Sequence, residues 1–341
     1  MVHTLITYLP YSRLFEVKKY FLENVSRVNP SRALIYIDDV FTEDQLSFVL
    51  KSIPEGVVVK SGFWGNRSAC FLQILMDLRN DGTPDTLVVD REFVLNTVKN
   101  VDAVVNLAGK GNLANSVEDP VPYHEVNVTG TFNLLLACKT NAIKKFIFSS
   151  SGSVYKDQAK PISEECALDP ASPYAASKIC AEFYCKTFAR VYGIQEVVLR
   201  FFNVYGPRRE NSSYGGAVTS FMLSVLKGEP LTLYGKGTDV RDYVYVKDVA
   251  RAVLLALKQG ITGEYNVGTG VGTDTITLIR TIERVVGKQA QIISAPKRLG
   301  DTPSRVADIT KSKRELGFVP RYDLFSGLKE LKEYLLKTYF S

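Results

Sequence analysis

Between residues 101 and 206, apolar runs of strand length alternate with segments of helical spacing. "VDAVVNLAG" (101–109) reads as a buried strand and 121–140 as a helix. "KKFIFSSS" (144–151) reads as a strand, 173–191 as a helix stopped by Gly193, and "QEVVLRFFNVYG" (195–206) as another strand. Strands separated by helices cannot pair through tight hairpins. They pair in parallel, with the connecting helices on the faces of the sheet. The fold class is therefore α/β, a Rossmann-like doubly wound parallel sheet. Ligands on such sheets bind at the carboxyl ends of the strands. Those ends fall at Asn106–Gly109, Ser149–Ser151 and Phe202–Asn203.

Past residue 206 the pattern changes. A polar, turn-rich loop, "PRRENSSYGGA", precedes a helix over 216–227. The short segments "LTLYG" and "RDYVYV" follow, then "GEYNVGTG", a helix near 274–287 and a terminal helix. This predicts a smaller C-terminal α+β substrate lobe over the strand ends. The division is 1–200 for the dinucleotide-type domain, with 1–85 atypical, and 201–341 for the lobe, partly interleaved with the first.

Composition removes several classes of function. Of 341 residues, 45% are hydrophobic, enough for a sizeable core, and the net charge of +6 carries no block of like charges. An anionic small molecule met by a few arginines suits this balance better than nucleic acid. The two histidines, His3 and His124, cannot build a His-rich metal site. The five cysteines show no Cys-x-x-Cys spacing, which fits reduced thiols and a cytoplasmic protein. No apolar run reaches membrane-spanning length.

Chemistry enters at "SPYAASKICAEFYCKTFARVYG", which begins at Ser172. Tyr174 and Lys178 stand one helical turn apart, on one face, with a rise of about 6 Å. An ammonium beside a phenol favours the phenolate, so Tyr174 can take a proton from a substrate hydroxyl. Ser151, at another strand end, is placed to hold the substrate oxygen. Tyr243 and Lys247 share the spacing, but "RDYVYVKD" alternates like a strand, where four residues span about 13 Å.

From about residue 86 onward the chain resembles the extended short-chain dehydrogenase/reductase family, and within it the UDP-glucose 4-epimerase type of nucleotide-sugar epimerase. The resemblance rests on "NLAGK", "YHEVNVTGT", "FIFSSSGSVY", "SPYAASK", "LRFFNVYGPR", "YGKGTDVRDYVYVKDVA" and "KRLGDTPSRVADITKSKRELGF", in family order. It implies Tyr174 as base, Lys178 as its partner and a holder of the nicotinamide ribose, and Ser151 as the hydroxyl. It implies an NAD site lined by Leu107, Ala108, Gly109, Lys110, Asn127, Ser149 and Phe202, together with Tyr174 and Lys178. Asn203, Arg241 and Arg298 match positions that hold a substrate diphosphate, and Asp301 a carboxylate beside the nucleotide. Ser151, Val218, Leu233 and Tyr234 complete the implied UDP-sugar site. No metal is implied. Arg305 falls where the family often carries a smaller or aromatic residue that gates the hexose pocket. The resemblance also implies a homodimer built from helices 121–140 and 173–191.

The implied reaction is 4-epimerisation: Tyr174 removes a hydroxyl proton, hydride moves to NAD, the keto-sugar turns, and hydride returns to the other face. Dehydratases of the family carry an Asp-Glu pair where this chain has Gly152 and Ser153, so water elimination lacks its acid and base. A related reductase or decarboxylase, and a non-catalytic nucleotide-sugar binder, are the alternatives. The last is favoured by the opening segment "HTLITYLPYSRLFEVKKYF". It has a strand-then-helix outline but none of the family's glycines, with Tyr8, Pro10 and Tyr11 in the turn. NAD is thus expected to be more easily lost. Two threadings arise. One makes 3–8 strand one and "RALIYIDD" strand two, with Asp38 or Asp39 on the adenosine ribose, and "DTLVVD" strand three. The other makes 56–60 strand one, Asp90 the ribose acid, and 1–50 an extension.

Overall fold

The structure, a computed structural model, describes residues 33–35, 86–99, 101–158, 160–207, 216–296 and 304–340. Its strands are β1 (Ala33–Ile35), β2 (Ala103–Asn106), β3 (Lys145–Ser151), β4 (Gln195–Phe201), β5 (Asn203–Tyr205), β6 (Leu231–Tyr234), β7 (Val240–Tyr245), β8 (Gly263–Val267), β9 (Gly272–Asp274), β10 (Ile292–Ala295) and β11 (Ser304–Arg305). The principal helices are α1 (Arg91–Thr97), α2 (Thr131–Thr140), α3 (Pro173–Tyr192), α4 (Ala217–Lys227), α5 (Val246–Lys258), α6 (Thr275–Val286) and α7 (Leu324–Tyr339).

A five-stranded sheet runs in the order β1-β2-β3-β4-β8, every pair parallel. Both faces are covered. Phe146, Phe148 and Val198 bury against α1, α2 and α3, among Val94, Leu134, Cys138, Ala181 and Phe188. On the other face Val105, Ile147, Val197 and Leu199 pack on α5, with Leu316 and Phe318. This is the doubly wound arrangement expected from the alternation.

Beyond the strand ends lie β11-β7-β5, with β9 antiparallel on β7, and the pair β10-β6. Helices α4, α6 and α7 share one apolar core with these strands, formed by Met222, Leu278, Ile282, Leu328 and Leu331. The run read as one strand over 195–206 is two. β4 ends at Phe201 in the large sheet, and β5 pairs with β7. Phe202 bridges them, its N–H donating to the Val267 carbonyl at 3.0 Å.

Three other expectations are corrected. "DTLVVD" forms no third strand: Thr86–Val89 is a helical turn, and Asp90 is the N-cap of α1, its carboxylate accepting from Phe93 N–H at 2.9 Å. A short apolar run does not by itself separate helix from strand. The helix over 121–140 is interrupted by a π-helical turn, Glu125–Gly130. Neither N-terminal threading holds. β1 pairs with β2 in register Ala33↔Ala103, the place that strand one takes beside strand four in a doubly wound order. "RALIYIDD" thus does not take the place of strand two, and Ala33–Ile35, which the second threading left in an extension, belongs to the sheet. Asp38, Asp39, the turn with Tyr8, Pro10 and Tyr11, and the segments 3–8 and 56–60 lie outside the described residues, as do Arg298 and Asp301.

Candidate active site

The site is built at the carboxyl ends of β2 and β3 and the first turns of α3. Ser172 caps α3, its hydroxyl accepting from Ala175 N–H at 3.2 Å, and Pro173 supplies a preset first-turn φ. Tyr174 N–H, one of the helix's orphan donors, reaches Ser116 Oγ at 3.2 Å. The Tyr174 ring meets Tyr123 edge to face, centroids 6.3 Å apart. One turn on, buried Lys178 donates from Nζ to the Ser149 carbonyl at 3.0 Å, and its ammonium lies over the Phe148 ring at 5.1 Å. The lysine is thereby fixed under the end of β3.

Ser151 closes β3 and leads into a 3-10 turn, Gly152–Val154. Its Oγ accepts from Ser153 N–H at 3.1 Å and from Ser153 Oγ at 2.8 Å. With both lone pairs engaged, its own proton is directed outward as a donor. Gly152 and Ser153 are buried in that turn, so no acid stands beside Ser151 on this side.

Asn127 organises the β2 end. It sits in the π-helical turn, where π geometry often marks functional positions. Its Oδ1 accepts from Lys110 N–H at 2.8 Å, and its Nδ2 donates to the Lys110 carbonyl at 3.0 Å and to Ser177 Oγ at 2.8 Å. Ser177 Oγ in turn donates to the Tyr174 carbonyl at 2.7 Å. One buried amide thus ties the 107–110 turn to the first turns of α3. Gly109 fits here for want of a Cβ, which would stand 2.7 Å from Lys178 Nζ and 2.9 Å from Asn127 Oδ1.

A buried polar network below the site escaped sequence reasoning. Glu182, one turn beyond Lys178, accepts from Ser150 Oγ at 2.5 Å and Arg200 Nε at 3.0 Å through Oε1, and from Arg200 Nη2 at 2.6 Å through Oε2. Arg200 Nη1 donates to Tyr155 Oη at 2.8 Å, and Tyr155 Oη to Asn266 Oδ1 at 2.7 Å. Burial outweighs the nearby guanidinium and pushes the Tyr155 phenol far above its ordinary value, so it stays a neutral donor. The signal in the sequence was Glu182 at the i+8 position of the Tyr174 stripe.

On the lobe side, Asn203 is exposed at the start of β5, and Arg241 on β7 is half-buried, its Nη1 donating to the Val240 carbonyl at 2.8 Å. Val218 and Leu233 are buried in the lobe core, and Tyr234 is exposed at the end of β6. Asp242 is buried and structural: it accepts from Thr269 N–H and Oγ, Gly270 N–H and Ala307 N–H. Burial raises its carboxyl against those bonds. Among the described residues no cluster of His, Cys, Asp or Glu could hold a metal ion.

A parallel doubly wound sheet, with Ser151 at the end of β3 and Tyr174 and Lys178 in the first turns of the helix packed on it, is the frame of a dinucleotide-binding fold. The profile of the NAD dependent epimerase/dehydratase family matches residues 85–268. UDP-glucose 4-epimerase of Mycolicibacterium smegmatis is 36% identical over 68% of this chain and 75% of its own length. UDP-glucuronate 4-epimerase of Thermodesulfobacterium geofontis is 34% identical over 67% and 71%. Among solved structures, UDP-glucose 4-epimerase of Thermotoga maritima with UDP-glucose superposes with a TM-score of 0.77. It shares 33% identity, covering 90% of this chain and 99% of that one. The chain belongs to the NAD dependent epimerase/dehydratase family. The β2 turn fits the nicotinamide end of NAD: Gly109 leaves backbone, not side chain, beside Lys178 and Asn127.

Proposed function

We propose that this chain is a UDP-hexose 4-epimerase that uses NAD. The carrying observation is the assembly of Tyr174 and Lys178 on one face of α3, with Lys178 locked to the end of the strand that ends in Ser151. NAD, held by the residues named below, would supply the hydride acceptor and donor for C4. Tyr174 removes the proton from the 4-hydroxyl and restores it after the keto-sugar has turned. Ser151, its lone pairs taken by Ser153, donates to the sugar oxygen as charge develops there. Lys178 holds the nicotinamide ribose and favours the Tyr174 phenolate. Leu107, Ala108, Gly109, Lys110, Asn127, Ser149 and Phe202 line the cofactor. Asn203, Arg241 and Arg298 hold the diphosphate, two guanidinium groups being suited to bidentate phosphate contacts. Val218, Leu233, Tyr234 and Asp301 complete the nucleotide-sugar site. Asp90, the alternative acid for the adenosine ribose, accepts a helix-capping bond from Phe93 N–H through Oδ1.

The protein works as a homodimer in the cytoplasm. Free thiols at Cys138, Cys166, Cys180 and Cys185 suit a reducing compartment. No described helix is long and apolar enough to cross a membrane.

The test is direct. Purified protein with NAD and UDP-glucose should yield the 4-epimer by proton NMR with no net change in cofactor absorbance. Tyr174→Phe should lower turnover by roughly two to four decades while leaving UDP affinity unchanged. Near-normal turnover in that variant would remove Tyr174 as base.

A further inference from the structure

A side chain in the first turn of a helix is less firmly held than one in its middle. Tyr174 stands two residues past the Ser172 cap of α3, where an N–H has no helical carbonyl one turn back to accept it. Support comes from another part of the chain. The helical turns Leu113–Glu118 and Val121–His124 lie between Lys110 and the π-helical turn that carries Asn127. Asn127 closes this excursion at its base by bonding both the N–H and the carbonyl of Lys110, 17 residues away in sequence. Two side chains of the excursion reach Tyr174. Ser116 is fully buried, and its Oγ donates to the Leu113 carbonyl at 2.6 Å and accepts the Tyr174 N–H at 3.2 Å. Tyr123 is the only buried side chain of Val121–His124, and its ring meets the Tyr174 ring edge to face, at an interplanar angle of 75°.

A phenol turns about two side-chain torsions, so several placements of its oxygen compete unless neighbours select one. Ser116 fixes the backbone from which the Tyr174 phenol hangs. The Tyr123 ring walls off one side of its sweep, in the edge-to-face geometry that aromatic pairs favour. Burial raises the Tyr123 phenol, so it stays protonated and cannot act as a second base. We propose that the excursion Leu113–His124 is a positioning clamp for Tyr174, acting through the Tyr123 ring and the Ser116 hydroxyl. The clamp rests on the reading of Tyr174 as base given above.

The test is epimerisation of UDP-glucose by the NAD-loaded protein, with UDP affinity by calorimetry as the check on folding. Tyr123→Leu should lower kcat by roughly ten- to a hundredfold, as for a base about 1 Å out of place, and leave KM unchanged. Tyr123→Phe keeps the ring and should retain turnover near that of the wild type. In the Tyr174→Phe background Tyr123→Leu should cost nothing more, because a residue that acts through the base has no effect once the base is gone. Ser116→Ala should likewise lower kcat and not KM, and it decides the matter should Tyr123→Leu lose UDP binding. Normal kcat in folded Tyr123→Leu or in Ser116→Ala would overturn the clamp while leaving Tyr174 as base. So would a Tyr123→Leu loss as large without the Tyr174 hydroxyl as with it. Near-normal turnover in Tyr174→Phe alone would overturn both the clamp and the function on which it rests.

Discussion

At the residue scale, the Tyr174 stripe carries three different tasks at successive turns of α3. Tyr174 is the proposed base, Lys178 is fixed to the Ser149 carbonyl, and Glu182 ties the helix to β3 and β4 through Ser150 and Arg200. Both members of the Glu182–Arg200 pair are 2% exposed, and each polar atom named is hydrogen-bonded. Removing one charge leaves the other buried without compensation. Glu182→Gln should therefore cost about 3–5 kcal/mol of stability in denaturant unfolding. A cost below 1 kcal/mol would mean that Arg200 finds another partner. Ser150→Ala removes one hydrogen-bond donor to Glu182 and leaves the ion pair intact, so it should cost only about 1–2 kcal/mol.

At the scale of elements, two helices of the lobe, α6 and α7, are started by carboxylates. Asp274 caps α6 and Asp323 caps α7, accepting from Thr277 N–H at 2.8 Å and Ser326 N–H at 2.7 Å. Hydrogen bonds from Thr277 and Ser326 hold both carboxyls below the usual aspartate range. A folded-state value below the unfolded one gives stability that is fully present above about pH 4 and lost as pH falls through the folded value. Through these caps the melting temperature should thus not change with pH near neutrality and should fall on acidification below about pH 4. Asp274→Ala should cost about 1 kcal/mol at pH 7 and flatten part of that acid limb. An unchanged acid limb in the double variant with Asp323→Ala would exclude the caps as its source. The π-helical turn shows the same economy of local structure: its extra residue per turn lets Asn127 face Lys110 and Ser177, while the chain carries on as α2.

At the scale of the molecule, α3 presents apolar side chains that no described element covers. Phe183 and Val191 are each 59% exposed, with Tyr184 and Tyr192 beside them, and Val117 and Val121 are exposed on the preceding segment. Phe132 of α2 joins the patch through edge contacts with Tyr184 and Phe188. A contiguous patch of this kind is costly in water and suits burial against a second copy about a two-fold axis. Light scattering at micromolar concentration should report a dimer, and the double variant Phe183→Glu, Val191→Glu should shift it to monomer. A wild-type monomer would contradict the arrangement.

What the residues determined alone was everything carried by local period and local chemistry. The parallel α/β class, the span of β3, α3 from Ser172 to Gly193 and the shared face of Tyr174 and Lys178 follow from apolar spacing, a serine cap and a glycine at φ +66°. Tertiary structure decided what local pattern leaves degenerate. "TLVV" suits a strand as well as a helical turn, and its contact with Asn133, whose Nδ2 donates to the Val88 and Val89 carbonyls, selects the turn. The strand beside β2 is chosen by pairing across 70 residues, which no local period encodes. Arg305 meets Asp157 across 148 residues and stands next to Arg241 only because β11 and β7 pair. Such contacts depend on how the chain closes on itself, where the entropy of long loops is offset by packing and charge together rather than by any single residue.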